Sequence, residues 1–527
     1  MVYLKGKHEY KKKAGKPMEH SRTAIIDIGS NTVRLVLYKE QGTGIEEFRN
    51  VKAPLRLRRF LDEDSKMSDE GVQLLLEALK NFREVLDYYD VTEVECTATA
   101  AIRQAKNSNE IIQKVKKETG FQIRLLSGAE EAYYGLSAVL KTMPADNGLT
   151  IDIGGGSTEI TLFENRKLKY SHSFPFGVVS LKEQFIEEDR MKPKEQKKMA
   201  EYIQSEFAKF SWLSNAPDGV IAAIGGSARN LASVQQLKEN YPPLGVHGYE
   251  LTFDALDSLH KELSMLSYAE FEKVDGLSNE RADLILPAIE VFYQLAVYTK
   301  AAGLLVSSRG LRDGIMLERI KGGRWETALD VKRNGIKRLL KVYGHDPEHH
   351  HQMMELTEKM LKGFEQEGVL NVSKKERFMI EQAAVLFYLG EYISSSSKSR
   401  HTFYLLINSL FDGFTHREKA YLSLTASFTN NSTLKQYIEE FNGWFSKEEI
   451  QKMREYGAML KLCFSLNSSK RSVVQNLDVK KRNNALLITV YCEGNELAER
   501  YQSEKQKRHL EKALQTKIEL HFEQMMK

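Results

Sequence analysis

The residues best suited to chemistry are a carboxylate, a glycine and three small polar residues in one short turn. Asp27 ends an apolar run and is followed two residues later by Gly29 and then by Ser30, Asn31 and Thr32. Backbone N–H groups of such a turn can point at phosphate oxygens, and glycine allows a close approach. The carboxylate can hold a hard cation such as Mg²⁺ that bridges to the same phosphate. One such turn is a weak signal, because a tight hairpin uses the same residue types.

A second copy of the turn makes the signal strong. Residues 149–163 align with residues 24–38 at a constant offset of 125, which matches Asp152 with Asp27. The second turn reads Gly154-Gly155-Gly156-Ser157. Each turn lies between two apolar runs, as in a β-hairpin. We therefore predict a duplicated domain, each half opening with a hairpin, whose two turns would clamp a phosphate chain across an interdomain cleft.

The composition is that of a globular protein with an uneven charge. The 527 residues are 42% hydrophobic and 28% charged, which excludes a disordered or collagen-like chain. At roughly 150 residues per domain, this length predicts three or four domains. Residues 321–527 contain 33 Lys and Arg against 26 Asp and Glu, a net charge of +7, whereas the preceding residues have a net charge of −3. The basic excess indicates a polyanionic partner for the back of the chain.

Cysteine usage and hydropathy indicate a soluble protein of a reducing compartment. Three cysteines form no CxxC pair and predict no disulfide framework. Residues 1–20 carry six lysines and no apolar core, so they predict a flexible basic tail and not a secretory signal. The most apolar stretch, 284–306, is interrupted by a proline and by charged residues, which predicts a buried helix pair or a helix and a strand. We expect a cytoplasmic protein without a membrane span.

Strand and helix patterns alternate through the first 320 residues and predict an α/β fold. From Asp330 onward the pattern becomes mostly helical, and the last residues return to a mixed pattern. The predicted organisation is a basic tail (1–20), a first lobe (21–135), a second lobe (136–320), a helical domain (321–468) and a small α+β domain (469–527).

Several longer sequence motifs make the assignment to a protein family more specific. They are TATAAIRQAKN at 97–107, LSGAEEA at 126–132, IDIGGGSTE at 151–159, HGY at 247–249, GLS at 276–278, RAD at 281–283 and RGLRDG at 309–314. In this order they resemble the exopolyphosphatase / guanosine pentaphosphate phosphohydrolase (Ppx/GppA) family, specifically over about 21–320 and more loosely to the C-terminus, in its long exopolyphosphatase-like form. The paired turns and a third glycine turn at 224–227 resemble the superfamily of actin, sugar kinases and heat-shock chaperones. The resemblance implies two actin-like (ribonuclease H-like) lobes. No P-loop string is present.

The resemblance also implies roles for individual residues. Glu131 matches the family's proposed base for the attacking water, whereas Glu130 better fits a carboxylate at a helix N-terminus. Arg103 matches a residue that binds the terminal phosphate through its planar guanidinium, and the alternative is a surface residue at a helix start. Asp27 and Asp152 match the metal and phosphate-turn carboxylates, and the alternative is that each only caps its own turn.

The remaining implied groups complete a phosphate and metal site. Glu159 would hold the metal through water or orient the nucleophile, or it is a solvent-facing hairpin residue. The predicted phosphate cradle consists of backbone amides and hydroxyls at Ser30, Asn31, Thr32, Gly154, Gly155, Gly156 and Ser157. Mg²⁺ is the implied cofactor, held by Asp27, Asp152 and Glu159, and K⁺ is the candidate activator.

Two further clusters have weaker claims to a function. His349, His350 and His351, near His345, would point in different directions on a helix, so we expect a surface cluster and no shared metal site. On a strand, Arg56 and Arg58 would share one face. The basic run is then either a solvated edge or a contact with phosphates, and the sequence leaves both alternatives open.

The helical domain resembles an HD phosphohydrolase domain that has lost its metal dyad. Phe387-Tyr388-Leu389-Gly390-Glu391 stands where the family pattern would place L-H-D-I-G. We expect this domain to be metal-free and inert, and to serve as a binding or dimer platform.

These features predict an exopolyphosphatase, a phosphoanhydride hydrolase that removes terminal phosphate from inorganic polyphosphate by in-line attack of a water activated by Glu131. The basic C-terminal half would hold the polymer, across a homodimer interface. The nearest alternative is hydrolysis of guanosine pentaphosphate to the tetraphosphate. A non-catalytic sensor of alarmones or nucleotides and an ATP-driven kinase or chaperone are further alternatives. No specific nucleic-acid partner is expected, because aromatic-interleaved ribonucleoprotein strings and zinc-knuckle spacing are lacking.

Overall fold

The computed structural model describes residues 22–41, 44–188, 190–216, 219–321, 327–343, 346–482 and 485–525. The predicted basic tail and His345 lie outside these residues. The chain folds into two compact units, one that ends at Leu126 and one that begins at Ser127.

The first unit is built on a five-stranded sheet. Its strands are β1 (Arg22–Ile28), β2 (Val33–Gln41), β3 (Gly44–Ala53), β4 (Glu93–Ala98) and β5 (Ile123–Leu125), and its helices are α1 (Asp69–Tyr88), α2 (Ala100–Arg103) and α3 (Ser108–Thr119). The strand order is β3-β2-β1-β4-β5. An antiparallel meander of β1, β2 and β3 is extended by β4 and β5, which run parallel to β1.

Helix α1 shows how the sequence determines these elements. The Ser68 side chain accepts a hydrogen bond from the Gly71 amide at 3.3 Å and caps the helix. Apolar residues then recur at helical spacing and are all buried: Val72, Leu75, Leu76, Leu79, Phe82 and Leu86. This helix belongs to the alternating strand and helix pattern that the sequence predicts for the first 320 residues.

The second unit opens with a larger sheet of the same plan. Its strands are β6 (Gly148–Ile153), β7 (Thr158–Glu164), β8 (Lys167–Phe174), β9 (Val220–Ile224), β10 (Tyr249–Thr252) and β11 (Gly303–Val306). The strand order is β10-β11-β9-β6-β7-β8. An antiparallel meander of β6, β7 and β8 is extended by parallel β9 and β11, with antiparallel β10 at the edge. The predicted duplication is therefore present in the strand topology.

Helices surround this second sheet. They are α4 (Gly128–Leu140), α5 (Val178–Phe185), α6 (Pro193–Phe207), α7 (Ser211–Ser214), α8 (Gly225–Lys238), α9 (Phe253–Ser264), α10 (Tyr268–Phe271), α11 (Ile285–Thr299) and α12 (Leu311–Lys321). Residues 279–299 are long and apolar enough to cross a membrane, but 78% of their most apolar window is buried inside the protein. The apolar stretch 284–306 is thus a core helix followed by a strand, as one of the two expectations had it.

The rest of the second unit is helical and ends in a small sheet. Its helices are α13 (Ala328–Val342), α14 (Pro347–Gln366), α15 (Lys374–Leu386), α16 (Lys398–Asn408), α17 (His416–Ala426), α18 (Asn431–Ile438), α19 (Lys447–Ser465) and α20 (Leu497–Leu514), and its strands are β12 (Val474–Arg482), β13 (Ala485–Cys492) and β14 (Lys517–Gln524). The helices and the β12-β13-β14 sheet share one apolar core that includes Leu356, Leu460 and Ile488.

A lysine packs against Tyr388, the residue that stands at the histidine of the HD pattern in the sequence. Tyr388 has a φ of 58° and donates its hydroxyl to the Phe428 carbonyl at 2.9 Å. The Lys398 ammonium lies 4.7 Å from the Tyr388 ring centre and 4.4 Å from that of Phe464, within cation–π range of both rings. Burial lowers the pKa of Lys398, against the opposing effect of the Glu391 carboxylate.

The histidine cluster differs from its prediction in one member. His351 is exposed, as expected, but His349 is buried and its ring nitrogen lies 3.0 Å from the Asn467 amide. The expectation of a surface cluster is therefore wrong for His349, because that face of α14 packs against α19.

Candidate active site

The second hairpin places two carboxylates side by side. Asp152 on β6 is paired directly with Glu159 on β7. Directly opposite residues of an antiparallel pair project from the same face of the sheet, with Cβ atoms about 5 Å apart. The turn between them is closed by a hydrogen bond from the Gly154 amide to the Ser157 carbonyl at 2.9 Å.

Helix α5 supports this turn through backbone hydrogen bonds. The Gly154 carbonyl accepts from the Val178 amide at 3.0 Å, and the Gly155 carbonyl accepts from the Val179 amide at 2.9 Å. Gly177 lies so close that a Cβ there would be 2.4 Å from the Gly154 carbonyl oxygen. The carbonyls of the turn bond to α5, so the amide groups of the turn can bind an anion.

The first hairpin turn is supported in the same way by a different element. The Gly29 amide donates to the Thr32 carbonyl at 3.2 Å, while the carbonyls of Ser30 and Asn31 accept from the Arg58 and Arg56 amides at 3.1 and 2.9 Å. These two arginines therefore lie beside the turn.

The basic run at 56–59 is not a strand. Arg56 has a φ of 52° and precedes a 3₁₀ helix over Leu57–Phe60. The expectation that Arg56 and Arg58 share the face of a strand is wrong, because this loop folds back to satisfy the turn. The Arg58 guanidinium donates to the Gln104 side chain at 2.7 Å.

Helix α4 separates the roles of two adjacent glutamates. Ser127 caps the helix, and the Glu130 carboxylate accepts from the Ser127 amide at 2.8 Å and from its hydroxyl at 2.9 Å. Glu130 therefore closes a capping box, which agrees with the helix N-terminal position that the sequence favoured for it. Glu131 is the next residue of this first turn and is half-buried.

Glu159 is buried, with only 5% of its surface exposed. The Ser173 hydroxyl on β8 donates to its carboxylate at 2.7 Å. The alternative of a solvent-facing hairpin residue is therefore wrong, because β8 and α4 cover this part of β7. Gly128 packs onto Ser173, since a Cβ there would lie 2.4 Å from the Ser173 Cβ. The first turn of α4 is thus in contact with the residue that holds Glu159.

The third glycine turn lies against Asp152. Strand β9 passes directly into α8 at Gly225, which has a φ of 92°. A Cβ on Gly225 would lie 2.8 Å from the Asp152 Oδ1. The position requires glycine for its backbone conformation and for the space that Asp152 takes.

Arg281 is a site residue to which the sequence assigned no role. Its guanidinium lies against Gly226, where a Cβ would be 2.4 Å from the Arg281 Cζ, and it donates to the Ser227 hydroxyl at 3.3 Å. Burial and the nearby Arg229 lower the pKa of Arg281, and the field of Asp152 opposes them. The RAD string at 281–283 was the available signal, but no local pattern shows that this side chain packs on a glycine turn.

Arg103 lies at the end of the four-residue helix α2 and is half-buried. Its guanidinium donates to the Leu126 carbonyl at 2.6 Å. The alternative of a surface residue at a helix start is therefore wrong. In the same unit, Asp27 at the end of β1 is paired with Arg34 on β2 and with Thr97 on β4.

The predicted site residues thus fall into two groups. Asp27, the Ser30–Thr32 turn and Arg103 belong to the first unit, whereas the glycine turn, Asp152, Glu159 and Glu131 belong to the second. Among the described residues, no cluster of three or more His, Cys, Asp or Glu side chains could hold a metal ion. The pair Asp152 and Glu159 offers oxygen ligands to a hard cation, and Mg²⁺ commonly uses one or two carboxylates plus phosphate oxygens and waters.

Comparisons with known proteins agree with this arrangement. The Ppx/GppA phosphatase family matches residues 36–322, and domain III of the same family matches residues 331–522. A guanosine-5′-triphosphate,3′-diphosphate pyrophosphatase from Vibrio cholerae is 25% identical over 407 residues, which cover 76% of this chain and 78% of that protein.

Solved structures agree at the level of the fold. The crystal structure of the Aquifex aeolicus member of the Ppx/GppA family has 27% identity and a TM-score of 0.51, and the match covers 57% of this chain and 99% of that one. An exopolyphosphatase from Cytophaga hutchinsonii has 23% identity and a TM-score of 0.54, with 58% and 100% covered. The predicted α/β fold with actin-like lobes followed by a helical part is confirmed. The chain belongs to the Ppx/GppA phosphatase family, whose enzymes hydrolyse phosphoanhydride bonds.

Proposed function

We propose that this protein is an exopolyphosphatase that releases terminal phosphate from inorganic polyphosphate. The observation that carries the choice of a polymer is the net charge of +7 on residues 321–527, behind a front part that is mildly acidic. A long polyanion needs positive charge beyond the site where its end is cut. The expected setting is the cytoplasm, with a homodimer as the working form.

Glu131 is proposed as the base that activates the attacking water. Two features support it: Glu130 closes the helix cap, and the first turn of α4 contacts Ser173 beside the buried Glu159. The water oxygen forms a bond to the terminal phosphorus in line with the bridging P–O bond, which breaks. The water proton passes to the Glu131 carboxylate, and the shortened polyphosphate leaves with the bridging oxygen.

The glycine turns are proposed to hold the phosphoryl oxygens. In each turn the carbonyls are bonded to a supporting segment, so the amides around Gly155, Gly156 and Ser157, and around Ser30 to Thr32, are suited to anions. Arg103 would bind the terminal phosphate, and its support is the resemblance together with the fixed position that its bond to Leu126 gives it.

Asp152 and Glu159, with Asp27 of the first unit, would hold Mg²⁺. When bound, this ion would neutralise charge on the phosphoryl oxygens. The support in this chain is the pairing of the buried Glu159 with Asp152, which places two carboxylates on one face of the sheet as oxygen ligands for a hard cation. K⁺ is proposed as an additional activator.

Hydrolysis of guanosine pentaphosphate is the second candidate. It is favoured by the similarity to the pyrophosphatase from Vibrio cholerae, which covers 76% of this chain. A competition assay decides between the two: long polyphosphate and guanosine pentaphosphate are supplied together with Mg²⁺ and K⁺, and the values of kcat/KM are compared.

The test of the proposed function is end-product analysis on long polyphosphate. Progressive release of single phosphates by the parent chain, lost in Glu131→Gln and retained in Glu130→Gln, is the expected result. Unchanged release in Glu131→Gln would contradict the role of this residue. Binding of nucleotides or alarmones without any phosphate release would instead identify a sensor.

A further inference from the structure

A basic pocket lies in the helical part of the second unit, and none of its lining residues belongs to the glycine turns. Its volume is about 690 Å³. Five lining residues are cationic and two are anionic: Lys332, Arg333, Lys374, Lys375 and Arg377 against Glu381 and Glu418. The lining therefore has an excess of three positive charges.

Part of this charge is compensated within the protein. Glu418 lies 2.7 Å from the Lys332 ammonium and 3.5 Å from that of Lys375. Arg377 pairs with Glu358 at 2.6 Å and also with Glu365. Burial and the nearby Glu358 raise the pKa of Glu381, against the opposing effects of Arg333 and Arg377.

Two cations at the pocket make no such close contact, although the charge of Arg333 acts on Glu381 and Asp330. Arg333 and Lys374 are exposed, and in the described ranges no side-chain hydrogen bond or ion pair is formed by either. Lys375 is 75% exposed and reaches Glu418 only at 3.5 Å. These three side chains supply positive charge to whatever enters the pocket.

Three helices begin at the same pocket and add to its potential. The first residues of α13 and α15 line it, as does Thr415, the N-cap of α17. These helices are 15, 13 and 11 residues long. The N-terminus of each carries a partial positive charge, part of which is already met by the carboxylate of its capping box, Asp330, Glu376 or Glu418.

The pocket also has an apolar wall. Leu329, Phe378, Met379 and Pro144 line it, and Leu329 is 42% exposed. An inorganic phosphate chain gains nothing from such a wall. A ligand that carries a ring gains from burying it there.

We propose that this pocket binds a small organic polyphosphate, with phosphoryl groups at Arg333, Lys374 and Lys375 and an apolar or aromatic ring against Leu329 and Phe378. It is a second anion site, beyond the proposed polyphosphatase function. Pro144 lies four residues after the last residue of α4, so an occupant would contact the segment that follows the helix of Glu131.

Calorimetric titration of the full chain with guanosine triphosphate tests the proposal. The variant Arg333→Glu/Lys374→Glu is compared with Lys480→Glu/Lys481→Glu, which makes the same charge change at exposed positions of β12 outside the pocket. Any binding at the glycine turns is common to all three proteins. We expect one binding event to weaken at least tenfold in the pocket variant and to change less than twofold in the control. Equal binding in all three proteins overturns the proposal.

Two further probes test the chemistry of the ligand. Leu329→Ser should weaken binding of guanosine triphosphate about threefold or more and leave inorganic tripolyphosphate unchanged. Guanosine alone should bind too weakly to detect. If the Arg333→Glu/Lys374→Glu change weakens tripolyphosphate as strongly as guanosine triphosphate and Leu329→Ser affects neither, the pocket takes an inorganic chain and the proposal is wrong.

Discussion

The two hairpins of this protein share a backbone plan and differ in charge at one position. Arg34 and Glu159 are equivalent under the offset of 125, and each is paired with the carboxylate at the end of its strand. In the first hairpin Asp27 therefore faces a cation, whereas in the second Asp152 faces a buried carboxylate. The two hairpins thus differ by two units of formal charge at this position, Arg34 against Glu159.

This difference shows how two copies of one fold can acquire different functions through a few side chains. Both turns keep their amides for an anion by bonding their carbonyls to the next segment of the chain. The charge that surrounds each turn is then set by single side chains. Under the proposed function, the paired carboxylates of the second unit would hold the metal ion, and the turn of the first unit would bind phosphate.

The largest test asks whether the chemistry belongs to the second unit. Glu131→Gln should reduce phosphate release from long polyphosphate by about 10²- to 10⁴-fold, because the water loses its base. Released phosphate is measured at saturating Mg²⁺. The matched control, Glu130→Gln, weakens the capping box and should cost about 0.5–1 kcal/mol of stability with little loss of rate. Comparable rate losses in both variants would remove the distinction between the two glutamates.

The next test concerns the paired carboxylates themselves. Glu159→Gln keeps the hydrogen bond from Ser173 but removes one charge opposite Asp152. We expect a loss of about 10- to 100-fold in rate and a rise in the Mg²⁺ concentration needed for half-maximal activity. Titration of phosphate release with Mg²⁺ measures both. A rate loss without any change in the Mg²⁺ dependence would contradict a role for Glu159 at the metal.

The third test concerns stability and not rate, at the glycine beside Asp152. By strand register, the residue at the same step of the first unit is Ala98, so only the second unit needs glycine there. Gly225→Ala should lower the free energy of unfolding by about 3 kcal/mol, since it combines a left-handed backbone with a contact of 2.8 Å to Asp152. Chemical denaturation is the measurement. Gly245→Ala is the control, because its φ of 78° is similar but nothing lies within 4 Å, and its cost should be about 1 kcal/mol.

The smallest expected effect is a difference between the two units in how much their stability decreases at acidic pH. Residues 22–126 contain no histidine, whereas the second unit buries His247 and His416. Burial lowers the pKa of His247 to about 3 and that of His416 to about 4. The histidine pKa in the unfolded chain is about 6.5, so below that pH the unfolded chain binds more protons than the folded one. The free energy of unfolding therefore decreases as the pH falls from 6.5 towards 4.

At pH 5.5 the expected loss is about 1.4 kcal/mol for each of these two histidines. Hydrogen exchange at pH 7 and pH 5.5 should show this loss in the second unit. His247→Gln should reduce it, since its ring accepts from the Ser308 amide at 3.2 Å and is 3.3 Å from the Thr142 carbonyl. Equal acid sensitivity in both units would contradict the assignment to the histidines.

The sequence predicted those features that depend on local patterns. The hairpins followed from a Gly, Ser and Thr turn between apolar runs, and the assignment of Glu130 followed from its place at the start of a helix. The burial of Glu159 and the contact of Arg281 with Gly226 were not predictable in this way. They depend on which distant strand or loop covers the site, and no local pattern contains that information. The run at 56–59 failed as a strand because its amides serve a turn 25 residues earlier.

The lysine between Tyr388 and Phe464 has a practical consequence for assays. Its positive charge is covalently attached, so a chelator cannot remove it as it would remove a bound ion. Addition of a chelator should therefore silence a magnesium-dependent reaction while the helical part of the chain stays folded. In such an experiment, loss of phosphate release without a change in thermal unfolding would support the proposed metal dependence, and the unfolding of the same sample provides the internal reference.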